Sequence, residues 1–185
     1  MINRCYIILA LTLVLVGCVS PRLSPSLLLP APADANVTGS FQQLIQVQHN
    51  ETQQLLIASI EVNADHLTVV VLHPSGIRLM SAEYDGETIR QQQLMMPGVD
   101  IRAEQVLKDI MLALWPMASW QPYLQQQGWV MADDGRQRLV SRADGEPVYR
   151  IKYHGEASQR WYSSLTLEQL QFNYHLAINP IDEEQ

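Results

Sequence analysis

The sequence predicts an α+β fold. Its core is a curved antiparallel sheet, an incomplete barrel of about nine to ten strands, with a two-helix insertion covering the concave face. Three observations carry this. Apolar and polar residues alternate with a period near two from Gly39 onward. Asp-Gly pairs at 85–86, 134–135 and 144–145 punctuate that pattern as hairpin turns do. One stretch, 101–127, switches to helical spacing.

The first half reads as five antiparallel strands in sequence order. Phe41, Ile45 and Val47 alternate with Gln42, Leu44 and Gln46, and Leu56, Ala58, Ile60 and Val62 alternate with Ile57, Ser59 and Glu61. Leu67–Leu72 is apolar on both faces and reads as a central strand. His73-Pro74-Ser75-Gly76 is a turn by composition. Residues 77–84 and 87–94 flank Asp85-Gly86, which reads as a type I′ turn.

Pro97-Gly98 ends the pattern, and Asp100 offers an N-cap to a helix over 101–115. Its stripe is Val106, Leu107, Ile110, Met111, Leu114 and Trp115, with Arg102, Glu104, Gln105, Lys108 and Asp109 as the polar side. Pro116 closes it. Ser119 is placed to cap a second helix through Gln127, with Gly128 at C′ and Trp120, Tyr123 and Leu124 as contacts. Strands resume at Trp129, over 136–142 and over 147–154. Leu170, Phe172, Tyr174, Leu176 and Ile178 read as one final strand with an apolar face. A flat two-layer sandwich is the alternative, but it leaves the amphipathic helix without a place.

The chain has 185 residues, 47% apolar and 17% charged, with net charge −7. One domain is the expectation, over 39–180 with a tail at 181–185. The acidic balance excludes a typical nucleic-acid binder. Residues 5–16 form an apolar run too short for a spanning helix and of the length of a signal-peptide core. The run ends in Leu15-Val16-Gly17-Cys18, which resembles the lipobox of bacterial lipoproteins. That resemblance implies a signal peptide at 1–17 and diacylglyceryl attachment to the Cys18 sulfur. Val19, not Asp, follows the cysteine, which in enteric-type lipoproteins implies the outer membrane. Pro21, Pro25, Pro30 and Pro32 make 18–38 an extended tether. Leu27-Leu28-Leu29 either docks on the domain or meets the bilayer, unless the tether is disordered with incidental leucines.

Catalytic signatures are absent: no G-x-S-x-G, S-x-x-K, Walker loop or G-x-G-x-x-G occurs. His49, His66, His73, His154 and His175 show no helix metal-site spacing, and no cofactor is implied. Asp133-Asp134 reads as turn chemistry before Gly135 rather than a calcium loop. What remains is apolar surface. Phe41, Ile45, Leu56, Ile60 and Val69 from the strands face Leu107, Met111, Leu114 and Trp115 from the helix and Trp129 beyond it. These ten are the candidates for lining an apolar ligand cavity, and a filled core is the competing reading of the same side chains. Trp115, Trp120, Trp129 and Trp161 form either one aromatic core or the mouth of a pocket.

The segments HLTVVVLHPSGIRLMSAEYDG (66–86), LKDIMLALWP (107–116) and GWVMADDGRQRLV (128–140) together resemble an uncharacterised family of bacterial lipoproteins, often encoded beside genes for aryl polyene pigment lipids. The element order also resembles the lipoprotein-localisation fold of the periplasmic lipoprotein carrier and its outer-membrane receptor. These resemblances imply an outer-membrane, lipid-anchored protein facing the periplasm. It would bind or transfer an acylated or aryl-polyene-type lipid without catalysis, with a periplasmic carrier as partner. A scaffold lipoprotein with a filled core is the alternative, and an enzyme of pigment-lipid modification a third.

Overall fold

A computed structural model of the chain describes residues 28–93 and 102–181. Cys18, Leu27, Pro97-Gly98, Asp100 and the signal-like segment lie outside the described residues. The elements are β1 (Gly39–His49), β2 (Thr52–Val62), β3 (Leu67–Leu72), β4 (Arg78–Tyr84), β5 (Ile89–Gln93), α1 (Ala103–Leu114), α2 (Met117–Gln127), β6 (Trp129–Asp133), β7 (Gln137–Arg142), β8 (Pro147–Tyr153), β9 (Leu165–Gln169) and β10 (Tyr174–Pro180). All ten strands join one open antiparallel sheet in the order β5-β4-β3-β2-β1-β10-β9-β8-β7-β6. Each half is a meander of consecutive hairpins. The halves meet where β1 pairs with β10, Ile45 opposite Ile178.

This sheet cannot be flat. α1 packs on β4 and β5 and also accepts hydrogen bonds from Arg138 of β7 and Tyr153 of β8. In a flat sheet β4 and β7 would stand about 34 Å apart, some three helix diameters. One helix touches both only if the strands curl around it. Bulges at Val71/Leu72 and Val140/Ser141 interrupt the ladder in both halves and increase the local twist.

Curling explains one difference from the sequence reading. A helix on an open sheet buries one stripe. α1 is gripped from several sides and buries Lys108, Asp109, Leu112 and Ala113 besides Leu107, Ile110, Met111 and Leu114. The polar side assigned to Lys108 and Asp109 is therefore enclosed.

The largest correction concerns the final strand. Leu170–Ile178 does not continue as one strand: residues 170–173 form the turn between β9 and β10. The Gln169 side-chain oxygen accepts from the Gln171 and Phe172 amides at 2.8 and 2.6 Å. Asn173 takes the left-handed conformation, φ 52°, which Asn tolerates best after Gly. Leu170 and Phe172 are exposed.

Two turn-and-cap details also differ. At Asp85-Gly86 only the glycine has positive φ. A type I′ turn needs it at both central residues; here Asp85 instead accepts from the Glu87 and Thr88 amides. Ser119 does not cap α2, which starts at Met117 after Pro116. Its hydroxyl donates to the Asp34 carbonyl at 2.8 Å. Gly128 does close α2, at φ 65°.

Residues 28–36 form a strap across this end of the sheet. Pro32 and Ala35 are buried. Tyr84 donates to the Leu29 carbonyl at 3.1 Å, and Trp115 Nε1 donates to the Ala31 carbonyl at 3.2 Å. Leu29 packs against the core, whereas Leu28 is exposed.

Candidate functional site

The core divides along α1. One face of the helix, together with its C-terminal turn, is sealed. Leu107, Met111, Leu112, Trp115 and Trp120 are fully enclosed. Trp161 bridges Trp115 and Phe41, with ring centroids 5.6 and 4.4 Å away. The final carbonyls of a helix lack intrahelical partners, and here side chains supply them. Trp120 Nε1 donates to Met111 at 3.3 Å, Tyr153 to Ala113 at 2.8 Å, and Arg138 to Leu112 and Trp115. Arg138 is itself fully buried. Its Nε donates to Asp133 at 2.9 Å, and Nη2 forms an ion pair with the same carboxylate at 2.8 Å without an aligned hydrogen bond. Arg160 completes the group, 2.8 Å from Asp133 and 4.0 Å over the Tyr153 ring. Burial opposes the charge on Asp133, but hydrogen bonds from Arg160, the Gly135 amide and Arg138 hold its carboxyl below the usual range.

The face of α1 that carries Gln105, Val106, Asp109 and Ile110 is not sealed. Between it and β1, β2, β3 and β10 lies a cavity of about 590 Å³, on the scale of small-ligand sites. Side chains two residues apart share a face, so strand register writes its floor as cross-strand rows. The innermost runs Ile178–Ile45–Leu56, beside Ala58–Val71. The next is Leu176–Val47–Gln54, and the outermost Tyr174–His49–Thr52. The floor thus changes from apolar to polar toward the β1–β2 hairpin. Val106 and Ile110 roof it, with Arg102 and Phe172 at the rim.

One polar cluster faces this space. Asp109 accepts from the Tyr174 hydroxyl at 2.5 Å. Gln105 Nε2 lies 2.8 Å from each of Asp109 Oδ1, Tyr149 Oη and Tyr174 Oη, so two N–H groups serve three oxygens. Asp109 is 7% exposed. Burial, opposed by the Tyr174 and Gln105 hydrogen bonds and by Lys108, pushes its carboxyl up to about 7. Burial and the neighbouring Asp109 also raise Tyr149 and Tyr174 well above an ordinary phenol.

Of the ten residues expected to line a cavity, Ile45 and Leu56 do so. Phe41, Ile60, Val69, Leu107, Met111, Leu114 and Trp115 belong to the packed core, and Trp129 packs partly buried against it. Around the helix C-terminus the tryptophans and the carbonyl-capping Arg138 and Tyr153 fill the space beside these residues. Val106 and Ile110 were in the helical stripe but not among the candidates. Gln105, Asp109 and Tyr174 were missed. Their signal was an i, i+4 pair of polar residues flanking buried positions, opposite a tyrosine on an apolar strand face. His66, His73 and His154 are exposed. Among the described residues no group of three or more metal-ligating side chains comes together.

A family model described as a protein of unknown function (DUF3261) matches residues 40–182, which among the described residues cover α1, α2 and, but for Gly39 of β1, strands β1 to β10. No curated protein matches the chain.

Proposed function

The chain belongs to that family, and from its geometry we propose that it is a lipid-anchored outer-membrane lipoprotein facing the periplasm. It binds or hands over an acylated or aryl-polyene-type lipid in the space under α1. The observation that carries the reading is the cavity of about 590 Å³ with an apolar floor and roof. Ligand sites are mostly apolar with a few polar groups, and this one has that composition. The curled sheet around a helix is in keeping with an incomplete barrel of the lipoprotein-localisation kind. In this reading the protein is a carrier or acceptor rather than an enzyme, works without a cofactor, and exchanges its ligand with a periplasmic carrier protein. Among the described residues no helix is long and apolar enough to cross a membrane. In this reading the anchor is the lipid on Cys18, at the lipobox-like Leu15-Val16-Gly17-Cys18.

The test is to purify the full-length protein from its native envelope and identify co-purifying lipid by mass spectrometry. An acyl or polyene lipid near one per chain is expected in the wild type and depleted in Ile110→Trp, which fills the cavity roof. A lipid-free wild type that also takes up no fatty acid would overturn the reading. The second reading, a scaffold lipoprotein with a filled core, draws on a separate observation. Met111, Trp115 and Trp120 leave no space at the sealed face of α1.

A further inference from the structure

We propose that the cavity is directional. It takes an amphiphile tail-first toward Ile45 and Ile178 and holds an uncharged, hydrogen-bond-donating polar end, a hydroxyl or amide, at Asp109, Gln105 and Tyr174. This rests on the ligand-binding reading above and adds orientation and head-group chemistry to it.

Three features carry the argument. The cavity floor is graded, since its inner cross-strand row is aliphatic and its outer row holds Tyr174 and His49. A tail therefore gains by lying inward and a polar end by lying outward. Next, Asp109 stands on the cavity wall although a carboxyl placed there loses hydration. An apolar-only site has no use for it. Finally, its protein partners all donate to it: Tyr174 through its hydroxyl and Gln105 through its amide. A carboxylate has about four acceptor positions; Tyr174, Gln105 and Tyr149 account for three, which leaves one on a residue that lines the cavity. A ligand hydroxyl or amide N–H satisfies that capacity. A ligand carboxylate or phosphate placed there donates nothing to Asp109, competes with it for the Tyr174 and Gln105 donors and leaves both groups worse solvated. The cation on the lining, Arg102, stands exposed at the rim, away from these donors' bonds to Asp109. The raised Asp109 carboxyl agrees with a site that already resists one negative charge.

The test displaces a fluorescent fatty-chain probe from the full-length protein with two competitors of equal chain length, 1-monopalmitoylglycerol and palmitate, at neutral pH. The glyceride is expected to displace at about tenfold lower concentration than the acid. In Asp109→Asn and in Tyr174→Phe this preference should shrink to less than about threefold. Tyr174→Phe keeps the ring and the strand, so it reports even if the change at Asp109 disturbs folding. Equal displacement in the wild type, or a preference that survives in both variants, overturns the head-group site while leaving the cavity reading intact. No uptake of the probe and no displacement by either competitor overturns both.

Discussion

The Arg138 guanidinium donates to the Trp115 carbonyl at 2.9 Å, so a β7 side chain closes the last turn of α1. The same side chain pairs with Asp133 at 2.8 Å and is fully enclosed. Removing one member of a buried ion pair leaves an uncompensated charge and costs about 3–5 kcal/mol. Arg138→Ala should cost that much in urea denaturation. Arg138→Lys should recover only part of it, because an ammonium cannot reproduce the planar fork. Full recovery by lysine would show that charge alone matters.

Asp109 makes stability fall as pH rises. Its folded carboxyl, raised by burial to about 7, lies above the unfolded value of 3.8. Its contribution is fully present below the unfolded value and is lost as pH climbs through the folded one. Gln105, Tyr149, Tyr174 and Lys108 surround it and set the folded value. The slope attributable to it is at most about 1.4 kcal/mol per pH unit. Denaturation midpoints from about pH 4 to about pH 8 should flatten in Asp109→Asn. Asp85 and Asp133 are held low, so their opposite effect falls on the acid side of this window. An identical pH profile in the variant would exclude the assignment.

Met111 and Val106 sit on different faces of the same helix. Met111 is fully enclosed, whereas Val106 roofs the cavity and is half-buried. Met111→Ala should cost about 2–5 kcal/mol and Val106→Ala less than about 1 kcal/mol, since one side of Val106 already lacks packing partners. Calorimetry on both variants checks the order. Equal losses would mean that the roof is as well packed as the sealed face.

Gly135 turns the chain between β6 and β7 at φ 86°. Valine resists that conformation. Gly135→Val should lower stability by about 1–2 kcal/mol. A denaturation midpoint and slope unchanged from the wild type would count against the turn strain.

Cys18→Ala tests the anchor. Radiolabelled palmitate should enter the wild type and not the variant, which should accumulate as an uncleaved precursor. Label retained in the variant would place the lipid elsewhere.

Strands were legible where one face is wetter than the other: in β2, Ala58, Ile60 and Val62 are buried while Ser59 is partly covered and Glu61 is exposed. Glycine marked the turns, since Gly86, Gly135 and Gly145 all carry positive φ. The β9–β10 turn was not legible. Leu170 and Phe172 continue the alternation by chance, no Gly or Pro interrupts it, and the left-handed residue is an asparagine. Buried polar groups were hidden for another reason. Arg138 shares strand parity with Val140 and is buried with it, which its charge gives no sign of: the partners that make this possible, the carbonyls of α1 and the Asp133 carboxylate, are brought to it only by the fold. Asp109 likewise depends on how far the sheet curls, which no local pattern encodes. Space remains on the Val106 and Ile110 face of α1 and not on its Leu107 and Met111 face, because residue volume at Trp115, Trp120 and Trp161 decides where it is left.

The meeting of the first and last strands has a kinetic consequence. Each five-strand half contains only hairpins between sequence neighbours, and such pairings close quickly. Joining the halves requires Gln43 to find Pro180 across nearly the whole domain, a loop closure whose entropy must be met before any of its contacts form. The order of events should therefore be two hairpin arrays first and the β1–β10 seam last. Until that seam forms, both arrays present unpaired central edges. This is the interval in which the nascent protein is most prone to pair with another copy of itself.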